Sequence, residues 1–181
     1  MMQTIASAEG GRQLLRHTVA TLAYRAEKVL RDVPTGFAEV RLSPATRTPL
    51  EILSHLGDLM EWAERLVRGE YRWQAAPASS WAAAADRFFQ GLAALDAALA
   101  EAQPESCPAE QIFQGPIADA LTHVGQLAMM RGMCGSAVRP ESYARAEIRA
   151  GRVGREQAAA RAEFDGDASW PRQEPAHEAD G

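Results

Sequence analysis

The sequence predicts an all-α protein, a four-helix bundle with a C-terminal extension packed on it, and three observations lead there. The chain is rich in alanine, nearly all its basic residues are arginine, and only 7% of its residues are aromatic. It has few β-branched runs, so the usual strand-forming patterns are scarce. Four long segments carry apolar residues at helical spacing, each bounded by capping or breaking residues. At 181 residues the chain is one domain with a tail, long enough to bury a core.

The first helix is expected from Gly11 to Asp32, with residues 1–10 frayed. Leu15, Thr18, Leu22, Ala26, Val29 and Val33 mark its buried face, and Pro34-Thr35-Gly36 ends it. His17 sits at the edge of that stripe with no acidic neighbour one turn away, which suits a partly exposed structural histidine. Phe37 to Arg47 is polar and contains proline, a loop with a short turn at most. Thr48-Pro49-Leu50-Glu51 is a capping box with proline at the first helical position, and it starts the second helix. Ile52, His55, Leu59, Trp62 and Leu66 follow at helical spacing to about Gly69. His55 therefore falls within the apolar stripe, where a lone histidine is ordinarily a core residue with satisfied nitrogens. Asp58, three residues on, can either orient its ring or point to solvent.

Residues 70–79 read as a loop of Ala, Pro and Ser, with Tyr71 and Trp73 folding back onto the bundle. Ser79 or Ser80 caps the third helix, lined by Trp81, Ala85, Phe88, Leu92, Leu95 and Leu99 and running to about Ala102. Asp86 and Asp96 read as surface charges on it. Pro104 closes it, and Gly115-Pro116 is expected to open the fourth helix, which stops near Gly132 to Gly135. That helix carries two stripes. Ile117, Leu121, Val124 and Ala128 form an apolar face; Asp119, His123, Gln126 and Met130 form a second face beside it. Asp119 and His123 are one turn apart, so a carboxylate and an imidazole project together.

Pro140 to Phe164 is dense in charge of both signs, with glutamates interleaved among its arginines. This suits a segment lying over the bundle and making ion pairs better than one binding nucleic acid. Residues 165–181, with His177, read as a solvated tail beyond a bundle domain of residues 1–164. The net charge of −5 offers no electrostatic footprint for nucleic acid or an anionic membrane. The chain has no signal-peptide pattern and no apolar run of the roughly 20 residues that span a bilayer, so a soluble, cytoplasmic protein is expected. Cys107 and Cys134 form no CxxC pair, and in a cytosolic chain no disulfide between them is expected.

A bundle can bring His55 to Asp119 and His123 around one ion and leave coordination positions open, the pattern of a catalytic metal site. A hydrogen-bonded Asp–His pair without metal is the plainer reading of the same residues. At this point the residues resemble a known family. The stretch from Thr48 to Leu59 and that from Asp119 to Arg131 are similar to the DinB/YfiT-like metalloenzymes, and Ile148 to Gly154 is similar to the C-terminal part of one bacterial branch. The resemblance covers roughly residues 11–164. It implies a divalent metal held by His55, Asp119 and His123, a bundle of the DinB/YfiT type, and a homodimer. The family usually shows His-x-x-x-His on the last core helix; here Asp119 occupies the first of those positions. Two histidines and one carboxylate suit Zn²⁺, Ni²⁺, Mn²⁺ or Fe²⁺. Gln126 and Asp58 are the candidates to support the ligands. Relatives that use low-molecular-weight thiols such as bacillithiol and mycothiol make a thiol-dependent transferase the leading expectation. A metal-dependent hydrolase and a non-catalytic metal-binding or stress-related interaction bundle are the alternatives. Neither cysteine is expected to be catalytic.

Overall fold

The computed structural model describes residues 2–77, 80–101 and 107–164, with side chains from residue 9 onward. The expected tail at 165–181, Ser79 as a cap, Ala102 as the end of the third helix and Pro104 as its stop lie outside the described residues. The fold is all-α. Four long helices make the bundle: α1 (Met2–Leu30), α2 (Pro49–Val67), α3 (Trp81–Glu101) and α5 (Ala118–Met133), with a short α4 (Ala109–Ile112) leading into α5. No helix among the described residues is long and apolar enough to cross a membrane.

Each boundary has a local cause. α1 begins well before Gly11, because residues 2–10 contain no proline to interrupt the helical hydrogen bonds. α2 begins where the capping box sets it: the Thr48 hydroxyl accepts the Glu51 N–H, and the Glu51 carboxylate accepts the Thr48 N–H. It ends in a left-handed glycine. Gly69 has φ +80°, its N–H bonds to the Leu66 carbonyl, and the Glu70 N–H bonds to the Arg65 carbonyl. The same pair of bonds closes α5, from Gly135 to Gly132 and from Ser136 to Arg131. Ser80 caps α3 by accepting the Ala83 N–H.

The fourth expected helix differs at its start. Gly115-Pro116 does not open it; residues Phe113–Ile117 form a π-turn that joins α4 to α5 as one rod. Proline lacks the N–H that an α-turn would use, and widening the turn accommodates it without breaking the helix. α1 has no glycine at its end. Its carbonyls are capped from α5 instead: the buried Arg131 guanidinium donates to the carbonyls of Val29 and Arg31 at 2.9 and 2.8 Å and to that of Asp32 at 3.3 Å.

Contacts along the helices fix their directions. α1 and α3 are antiparallel, joined near one end by Arg16 and Asp96 and near the other by Phe37 stacked edge-on against Trp81. α2 and α5 are antiparallel, with His55 facing Asp119 and Trp62 facing Gly115. α2 and α3 are parallel: Gly57 meets Arg87, and Gly91 meets Met60 four residues further along. The α2–α3 approach is close, since a Cβ on Gly91 would stand 2.7 Å from the Met60 Cβ. Between parallel neighbours the connection must travel back along the helix, about 28 Å for the 19 residues of α2. Residues 68–80 make that crossover. The core between the helices includes Leu22, Leu53, Leu56, Met60, Phe88, Leu92, Ile117 and Leu127, all buried.

Two sequence expectations change here. Asp96 is not a surface charge. It is buried against α1, taking a bidentate pair from Arg16 with both bonds at 2.9 Å. The C-terminal extension packs on the bundle as expected, mostly without regular structure, but its main anchor is buried as well as charged. Lys28 of α1 donates to Glu141 at 2.8 Å and Glu163 at 2.6 Å, and the Tyr24 hydroxyl donates to Glu141 at 2.7 Å. A short antiparallel bridge between Glu141 and Glu163 holds the two acids side by side. Surface pairs such as Arg155 with Asp86 add to this anchor.

Candidate metal centre

His55 stands two turns into α2, so the capping box at Thr48 fixes its height and direction. Asp119 and His123 come from the first turns of α5, directly after the π-turn. The antiparallel packing of α2 on α5 brings all three together, with their ligand atoms within 4.8 Å of one another. The Asp119 carboxylate lies between the two rings and gives one oxygen to each. His55 Nε2 is 3.4 Å from Oδ2, and His123 Nε2 is 3.4 Å from Oδ1. The imidazoles meet edge-on with centroids 4.9 Å apart. The rings are mostly covered, while the Asp119 side chain is 47% exposed, so the cluster opens to solvent on the carboxylate side.

Gln126 decides the chemistry of His123. Its Oε1 is 2.7 Å from His123 Nδ1, and a carbonyl oxygen only accepts, so Nδ1 carries the proton. In the neutral ring Nε2 then holds a lone pair, and that lone pair faces the Asp119 carboxylate. Two acceptors facing each other require a proton or a metal ion between them. The 3.4 Å separation is long for a hydrogen bond and close to that of two ligands bonded at about 2.0–2.1 Å to a tetrahedral centre. His55 is held below the ordinary imidazole range, first by burial and then by the charges of His123 and Arg47, with Asp119 opposing. A neutral His55 also keeps a lone pair for a ligand. The donor set of two imidazoles and one carboxylate therefore fits a divalent ion of the zinc class.

The other expected residues divide. Gln126 lies beside His123. Asp58 does not reach the site: Arg87 pairs with it at 2.7 Å, and it accepts the Ala76 N–H at 3.0 Å. Met130 shares the helical face of the ligands but is buried in the core by the last turn of α5, and Leu59 is likewise core. His17 is exposed. Cys107 and Cys134 are free thiols, and burial pushes that of Cys107 up.

Trp73 folds back onto the bundle as expected, but its neighbours there were not marked in the sequence. The crossover runs back along α2 and lays its ring edge-on against His55, centroids 5.7 Å apart, and against Trp62, 5.6 Å apart. The only signal was an aromatic residue in a stretch otherwise poor in large apolar groups. Tyr71, by contrast, remains 69% exposed. No protein-family model matches the sequence, and no curated protein or solved structure matches it either, so the likeness to the DinB/YfiT-like enzymes rests on the motifs quoted above.

Proposed function

We propose that the protein is a divalent-metal-dependent enzyme that uses a small thiol, a transferase whose ion is held by His55, Asp119 and His123. One observation carries this reading: His55, Asp119 and His123 bring their ligand atoms within 4.8 Å of one another, with Gln126 Oε1 2.7 Å from His123 Nδ1 and Nε2 turned toward the Asp119 carboxylate. A bound ion of this class lowers the pKa of a coordinated thiol and makes it a nucleophile near neutral pH. The residues around it do the rest. Gln126 keeps His123 in the tautomer that presents Nε2. Asp119 spans both imidazoles and balances the ion's charge. Its half-exposed side leaves a path by which a thiol enters and its proton leaves to water. Trp73 and Trp62 cover the flank at His55.

The test uses protein purified without an affinity tag. Co²⁺-substituted protein titrated with bacillithiol or 2-mercaptoethanol is expected to develop a thiolate-to-metal charge-transfer band, absent in His123→Ala. Turnover of esters or amides by the metal form, with no band for any thiol, would make it a hydrolase instead. Wild type that retains metal no better than His55→Ala would remove the enzyme reading and leave an interaction bundle.

A further inference from the structure

We propose that Trp73 is a specificity-determining residue of this site, selecting thiols or co-substrates with a flat, apolar body next to the donor atom. The inference rests on the metal-dependent reading above and adds the class of molecule the site takes. Trp73 is 45% exposed, and none of residues 68–77 is buried, so this indole contributes little to the core. It is nevertheless fixed in place. The Ala76 N–H on Asp58, itself clamped by Arg87, ties the crossover to α2 just beyond the indole. His55 and Trp62 hold the ring from two sides. Trp62 in turn rests on Gly115 of the π-turn, its ring 3.5 Å from where a Cβ would be. The result is a rigid aromatic corner beside His55 with indole surface left open to solvent. A large aromatic surface kept exposed next to a cluster of ligands is the arrangement of a binding wall, where a planar group stacks while its donor atom reaches the ion.

The experiment compares three thiols on the Co²⁺-loaded full chain, read by the charge-transfer band and by tryptophan fluorescence: 2-mercaptoethanol, benzyl mercaptan and cyclohexylmethyl mercaptan. Wild type is expected to bind benzyl mercaptan about tenfold more tightly than the equally bulky but non-planar cyclohexylmethyl mercaptan. Trp73→Ala should lose that preference, read as the ratio of its affinities for benzyl mercaptan and cyclohexylmethyl mercaptan, with its melting midpoint unchanged. Trp73→Phe should keep most of it. A preference that persists in Trp73→Ala, or a loss of affinity equal for all three thiols, overturns the proposal while leaving the metal centre standing. Wild type that holds no metal or no thiol removes both readings together.

Discussion

A single hydrogen bond sets the state of His123. Gln126 Oε1 can only accept, so this bond goes with the Nδ1–H form of the ring and leaves Nε2 turned toward Asp119. Gln126→Leu is therefore expected to weaken metal binding by about 10–100-fold, as read by competition with a chelator, with the fold intact because the side chain is exposed. Unchanged affinity would mean that Gln126 does not orient the ring. That Asp119 and His123 share a face was legible in the sequence, since one turn of helix places them so whatever surrounds them. What Asp58, Asp96 and Trp73 meet was not. Their partners are Arg87, Arg16 and His55, each on another element, and no periodicity within one helix reports what a neighbouring helix brings.

At the scale of elements, the signals that worked were those closed within a few residues. Thr48 and Glu51 bond to each other, so the start of α2 follows from four consecutive residues. Thr48→Ala should lower stability by about 1 kcal/mol, a fall in melting midpoint of about 2–4 °C for a chain of this size. A larger loss of metal binding than of stability would show that the cap also fixes the height of His55. Gly-Pro is the ordinary opening of a helix, so the start of α5 was not legible; the backbone instead continues through it as a π-turn, with Trp62 against Gly115. Arg131 was equally hidden. Its cap on α1 joins carbonyls about a hundred positions away in the chain.

Over the whole molecule, the buried cluster of Tyr24, Lys28, Glu141 and Glu163 decides how firmly the extension sits. Burial would raise the Glu141 carboxyl, but the hydrogen bonds from Lys28 and Tyr24 outweigh it and hold it below the usual range. Its contribution is complete above the unfolded value of about 4.3 and is lost as pH falls through the lower folded one. For Lys28 burial again opposes, and the two carboxylates prevail and hold the ammonium above its usual range. That contribution is complete below about pH 10.4 and is lost as pH rises further. Tyr24 is pushed up by burial and by Glu141, in the same sense. The extension should thus loosen at both extremes while the helices persist. Hydrogen exchange at the Ser142 and Phe164 amides, which bond to the Ala162 and Pro140 carbonyls, measures this after correction for intrinsic rate. Equal protection at pH 3 and pH 7 would refute it. Lys28→Met, which leaves buried Glu141 without its cation, should cost about 3 kcal/mol.

The crossover has a consequence for how such a protein can change over generations. His55, Asp119 and His123 sit on helices whose packing cannot be altered without cost to the core, whereas residues 70–75 are all exposed. New side chains at those positions face little selection from stability. A lineage can therefore keep His55, Asp119 and His123 and change the side chains beside them by drift in a single strip of surface.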